Sequence, residues 1–106
     1  MQEREPKLIP ELLVRDIQSS LSFWRGLIGF KVIYERPEER FACINLDGAR
    51  LLLEERQENV RQWVPTELVP PLGRGINLQI EVRTLEPIIQ KLSEAAWPLF
   101  MAPEVK

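Results

Sequence analysis

The segment Asp16 to Phe30, DIQSSLSFWRGLIGF, constrains the fold of this chain more than any other. Its Asp/Ser-rich entry offers side-chain oxygens to the free N–H groups of a first helical turn. Gly29 closes the segment as the residue best suited to end a helix. Between them, Leu21, Trp24, Leu27 and Ile28 recur at spacings of three and four and make a broad apolar stripe. Segments of strand length flank it: LIPELLV upstream, and downstream FKVIYE, rich in β-branched and aromatic residues. The N-terminal third therefore reads strand, helix, strand.

The charged run ERPEER follows, and its Pro37 stops the strand. Phe41 to Leu46 is the next strand, Asp47-Gly48 a strong two-residue hairpin signal, and Ala49 to Glu54 the returning partner. A long connection then runs from Glu55 to Gly73, polar at first and proline-rich later. Connections of that length in small domains usually carry function or cover something. Beyond it the pattern restarts. Gly75 to Val82 alternates, with Ile76, Leu78, Ile80 and Val82 on one side and Asn77, Gln79 and Glu81 on the other. Leu85 to Ala96 reads as a helix with Thr84 as N-cap and Pro87 in its first turn, and Trp97 to Met101 as a strand broken by Pro103.

The expectation is one domain of 106 residues, with a first unit over about 8–55, a linker over 56–73 and a partial second unit over 74–106. Repeating the last two strands of the first unit would take about twenty to thirty further residues.

Composition removes several functions. Fourteen basic residues against sixteen acidic ones, scattered along the chain, provide no concentrated surface for a phosphate backbone, so nucleic-acid binding is not expected. No run approaches membrane-spanning length and the N-terminus MQEREPK is charged, so the expected setting is the cytoplasm, with no membrane partner. The single cysteine, Cys43, lies in the apolar strand FACINL and reads as a small core residue. The absence of histidine excludes Ser-His-Asp and Cys-His catalysis and the commonest metal ligand. With only one cysteine as well, a structural zinc site is not expected.

IPELLVRDIQSSLSFWRGLIGFKV, NLDGARLLLEE and GRGINLQIEVRTLEPIIQKL together resemble the vicinal-oxygen-chelate superfamily, which includes glyoxalases, extradiol dioxygenases and bleomycin-resistance proteins. The resemblance spans nearly the whole chain. It implies an α+β fold of paired βαβββ units, a curved mixed sheet around a groove with helices on the outer face, and a homodimer. The second unit here is truncated relative to that pattern.

In metal-using members of the superfamily, ligands project from fixed strand positions. The alignment places Ile9, Leu52 and Asn77 at three of them, and aliphatic and amide side chains do not replace His and carboxylate ligands. No metal and no other cofactor is expected. A shift of one or two positions would recruit Glu11 or Glu54 instead.

The pattern resembles the bleomycin-resistance branch, which implies a small-molecule binder without turnover, its ligand a cationic antibiotic or similar compound. The rivals are a metal-dependent glyoxalase-like or antibiotic-modifying enzyme of the same superfamily, and an interaction module offering an open sheet edge.

If the three ligand positions face the groove, strand alternation adds Glu11, Leu13, Arg50, Glu54, Gln79 and Glu81 to Leu52 and Asn77. The opposite set, Leu12, Val14, Leu51, Leu53, Ile76, Leu78, Ile80 and Val82, should pack on helices. An outer solvated sheet face would also explain Asn77 and Gln79. Glu11, Glu54 and Glu81 would make the groove acidic and favour a cationic guest. Among the tryptophans, Trp24 reads as core and Trp97 as packing under the sheet. Trp63, on the long loop, is the candidate for stacking on a ligand, with loop anchoring as its alternative. Gly73 and Gly75 around Arg74 fit either an anion cradle or a plain turn.

Overall fold

A computed structural model describes residues 6–57, 62–63, 67–99 and 101–104 of the chain. The fold is α+β. Four strands, β1 (Glu11–Val14), β2 (Lys31–Arg36), β3 (Phe41–Leu46) and β4 (Ala49–Glu55), form one unclosed curved sheet in the order β1-β4-β3-β2. β1 runs parallel to β4, and the other neighbours are antiparallel. The crossover from β1 to β2 carries the helix. The meander of β2, β3 and β4 then returns the chain beside β1. This is the complete first unit expected from the sequence.

Local chemistry sets the element ends. Asp16 takes an extended conformation, and its carboxylate accepts from the N–H groups of Gln18 at 2.9 Å and Ser19 at 3.2 Å. Helix α1 (Ile17–Leu21) follows, and it widens into a π-helical segment over Ser22–Ile28. Gly29 ends the segment at φ 105°, and both its N–H and that of Phe30 donate to the Trp24 carbonyl. The predicted single helix is thus an α-helix with a π-helical second half, a distinction that periodicity does not resolve. Asp47 and Gly48 both take positive φ, 46° and 94°, as a two-residue hairpin with matching twist requires.

One face of the sheet packs on the helix. Ile17, Leu21, Phe30, Ala42, Ile44, Leu51 and Leu53 form the buried cluster, with Leu12, Val14 and Trp24 packed against it. Leu53 pairs with Leu12 on one side and Ala42 on the other, so a single row crosses three strands. The alternation read in β1 and β4 is the one the core uses.

The second unit departs from expectation. Gly75 to Val82 forms no strand, because no neighbouring strand takes its hydrogen bonds, and alternation without a ladder leaves a segment merely extended. Ile80 still packs against the core, but Ile76 is 65% and Leu78 39% exposed, so neither packs on a helix as predicted. Trp97 to Leu99 and Met101 also lie outside any strand, and Phe100 lies outside the described residues. Trp97 does not pack under the sheet. Its ring lies on Phe23 of the π-helical segment, with centroids 4.8 Å apart, because α2 docks there.

Helix α2 spans Glu86–Glu94 with Leu85 at its N-cap position and no side-chain cap, so Thr84 does not cap it. The first strand is also shorter than LIPELLV: β1 begins only after Pro10, which has no N–H to donate, and Leu8 is 81% exposed. β4 runs one residue longer than read, to Glu55. Among the described residues no helix is long and apolar enough to cross a membrane.

Candidate functional site

The strand register assigns the face turned away from α1 residue by residue. Glu11, Leu52, Cys43 and Tyr34 form one row across β1, β4, β3 and β2. Leu13, Glu54, Phe41 and Arg36 form the next, and Arg50, Asn45 and Lys31 a third. Glu11, Leu13, Arg50, Leu52 and Glu54 therefore share one face, as alternation required.

The other members of this face come from β2 and β3. For β3 the period-two pattern of FACINL contains the signal: the partners of Leu52 and Glu54 must be Cys43 and Phe41. For β2 no simple pattern serves. The register slips between Val32 and Tyr34, so Ile33 is an extra residue that moves Tyr34 onto the face it would otherwise avoid. Tyr34 and Phe41 then stack with centroids 6.0 Å apart, and the Arg36 guanidinium lies 5.1 Å from the Phe41 ring centre.

This composition corrects the acidic groove. Lys31, Arg36 and Arg50 share the face with Glu11 and Glu54, while Glu81 lies on the exposed unpaired segment. Asn77 and Gln79 are exposed there too, since strand parity places a residue on a sheet face only where a ladder exists. The Oδ1 of Asn45, directly opposite Arg50, is buried and accepts no hydrogen bond among the described residues. An orphan acceptor of this kind is uncommon in a folded domain.

Among the described residues, concavities gather several of the predicted residues. A cleft of about 430 Å³ follows the outer edge of β1. Glu11, Leu13 and Trp63 line it together with Leu68, Leu72 and Arg74. A smaller pocket of about 160 Å³ brings Arg50 and Gln79 together with Leu8 and Pro10. Neither concavity includes Asn77 or Glu81, and Leu52 and Glu54 lie on the sheet face beside them.

Electrostatics single out Glu11. Burial raises its carboxyl above the ordinary carboxylate value, and the nearby Glu54 carboxylate raises it further. A bound cation would favour the ionised carboxylate and so oppose both effects. Trp63 is 56% exposed in the cleft, so its ring is accessible to an occupant. Gly73 and Gly75, at φ 80° and 83°, make the turn that carries Arg74, and the Ile76 N–H closes it on the Gly73 carbonyl at 3.3 Å. Plain turn geometry accounts for both glycines.

Ile9, Leu52 and Asn77, the residues that the resemblance aligns with metal ligands, do not fit a transition metal. Leu52 stands between Glu11 and Cys43 in its row, Ile9 precedes β1, and Asn77 lies on the unpaired segment. Among the described residues no three His, Cys, Asp or Glu side chains converge. Two carboxylates without a third strong donor make a poor site for such an ion.

No protein-family model and no curated protein matches the chain. Solved structures do. One, a glyoxalase/bleomycin resistance protein/dioxygenase superfamily member from Vibrio splendidus 12B01, is 40% identical over 81% of this chain and 65% of its own, with a TM-score of 0.44. This chain thus spans just under two thirds of that protein's length. An integron cassette protein from the mobile metagenome of the Halifax Harbour sewage outfall is 19% identical, covering 85% of this chain and 72% of its own, with a TM-score of 0.51. The protein SMU.1112c is also 19% identical, over 89% and 77%, with a TM-score of 0.52. At that identity these last two share the fold. The superfamily of the Vibrio protein is the one that the opening motif of this chain resembles.

Proposed function

We propose that this chain is a glyoxalase/bleomycin resistance protein/dioxygenase superfamily member of the bleomycin-resistance type, a cytoplasmic homodimer that binds a small cationic molecule without turning it over. One observation carries the reading: a single cleft along β1 collects Glu11, Leu13 and Trp63, an ionisable acid, an apolar wall and an accessible indole. That combination suits an amine attached to an apolar or aromatic body, with the acid receiving the charge and the indole stacking on the body. A non-catalytic role is supported by the side chains at the metal positions, Ile9, Leu52 and Asn77, which supply no strong donor set.

A second copy is the proposed partner because apolar side chains are exposed in the C-terminal third: Leu85, Trp97 and Leu99 are each about half exposed and Met101 more so. Covering such surface is what a two-fold interface does.

The test is a thermal-shift screen of the purified protein against cationic antibiotics and aromatic amines. A ligand of the cleft raises the melting temperature by mass action. That shift is expected to shrink in Glu11→Gln and in Trp63→Ala. Ligand-induced shifts that are unchanged in both variants would move the binding site elsewhere and overturn the reading.

A further inference from the structure

The cleft along β1 carries two charges of opposite sign. Glu11 belongs to the strand wall, and Arg74 to the Gly73–Gly75 turn that forms part of the loop wall. Ion pairs among the described residues include Arg36–Glu39, Arg40–Glu55 and Arg83–Asp47; among the described residues neither charge in the cleft is paired with the other or with a neighbour. The rest of the lining is mainly apolar, with Leu13, Leu72 and Trp63 prominent.

An occupant with only an amine would satisfy Glu11 while placing its charge in the same cleft as a like-charged guanidinium. An occupant with only an acid would meet the reverse repulsion from Glu11, whose neighbour Glu54 already adds to the local negative charge. One class of ligand escapes both penalties.

We propose that the cleft binds a zwitterion: an amine directed to Glu11, a carboxylate or similar compact anion directed to Arg74, and an apolar or aromatic body between them against Leu13, Leu72 and Trp63. This assignment rests on the proposed binding function and narrows its ligand. A guanidinium suits a planar anion because two parallel N–H groups can reach both oxygens. The cleft, about 430 Å³, falls within the range of small-molecule sites and accommodates a single ring with a short arm at each end.

The experiment is calorimetric titration of the full chain with three matched probes: para-aminomethylbenzoate, which carries both charges, para-methylbenzylamine, which carries the amine, and para-methylbenzoate, which carries the acid. The zwitterion is expected to bind about tenfold or more tighter than either singly charged probe, a gain of about 1.4 kcal/mol for each factor of ten. Arg74→Gln should remove that advantage without weakening the amine, whereas Glu11→Gln should weaken the amine and the zwitterion alike.

If the amine binds and the zwitterion gains nothing, or the gain survives Arg74→Gln, the zwitterion assignment is overturned and the binding function stands. If neither the amine nor the zwitterion binds, the cationic reading of the cleft fails, and this assignment fails with it. The comparison among probes on the unaltered protein decides the matter even if a variant folds poorly.

Discussion

The Glu55 carboxylate at the end of β4 accepts the Ile17 backbone N–H at 3.0 Å, tying the first turn of α1 to a strand 38 positions away in sequence. The same carboxylate takes the Arg40 guanidinium at 2.6 Å. Ile17 is buried and Glu55 largely so, whereas Arg40 is 57% exposed. The two contacts therefore have unequal worth. Removing the acceptor frees a helix-terminal N–H in a partly buried setting, while removing Arg40 breaks a pair that solvent already screens.

Glu55→Ala is accordingly expected to cost about 1–3 kcal/mol and Arg40→Ala no more than about 1 kcal/mol. Urea unfolding of the two variants measures both. Equal losses would mean that Glu55 stabilises the fold through its ion pair with Arg40 and not through its contact with α1.

The two faces of β4 predict contrasting sensitivities at adjacent positions. Leu53 is fully buried in the core row, whereas Leu52 faces the other way between Glu11 and Cys43. Leu53→Ala should cost about 3 kcal/mol through lost burial and a residual cavity, and Leu52→Ala about 1 kcal/mol. A larger loss at Leu52 would contradict the register.

The raised Glu11 carboxyl predicts a pH dependence with a definite sign. Burial and then Glu54 hold it above its ordinary value, so the folded state binds this proton more tightly than the unfolded chain does. Its contribution to stability is full below the unfolded value and is lost as pH rises through the folded one. Glu11→Gln removes that loss, so the variant should gain stability relative to the parent as pH rises from about 4 to about 7. A cationic ligand should show the opposite trend, binding the parent more weakly as pH falls through the same window. Chemical unfolding and ligand titration across that range check both arms, and parallel curves for parent and variant would refute the first.

The aliphatic and amide side chains of Ile9, Leu52 and Asn77, with no converging donor set among the described residues, predict that the purified protein contains no stoichiometric transition metal. Elemental analysis is the check. About one equivalent of zinc, nickel, manganese or iron per chain would overturn the assignment of Ile9, Leu52 and Asn77 to the ligand positions.

Self-association is the remaining expectation. Trp97, Leu99 and Met101 are exposed apolar side chains in the C-terminal third, of the kind that a two-fold interface would cover. Sedimentation equilibrium over a wide concentration range should find a dimer, and a monodisperse monomer at micromolar concentration would exclude one.

What the sequence determined by itself was the first unit. Asp16 as a cap, Gly29 as a terminator and Asp47-Gly48 as a hairpin act through contacts only a few residues apart. The alternation of Leu51 and Leu53 against Leu52 follows from pleat geometry alone. The sheet face of Glu11, Leu13, Arg50, Leu52 and Glu54 was legible for the same reason.

Tertiary structure decided the rest because it depends on partners distant in sequence. GINLQIEV alternates as a strand does, yet it has no ladder without a neighbour to bond, so Asn77 and Glu81 never join the site. The slip at Ile33 that turns Tyr34 onto the face is a matter of pairing between β2 and β3, which β2 does not encode alone. Arg74 and Glu11 line one cleft only because a loop and an edge strand 63 positions apart enclose it, a long-range packing that no local pattern records.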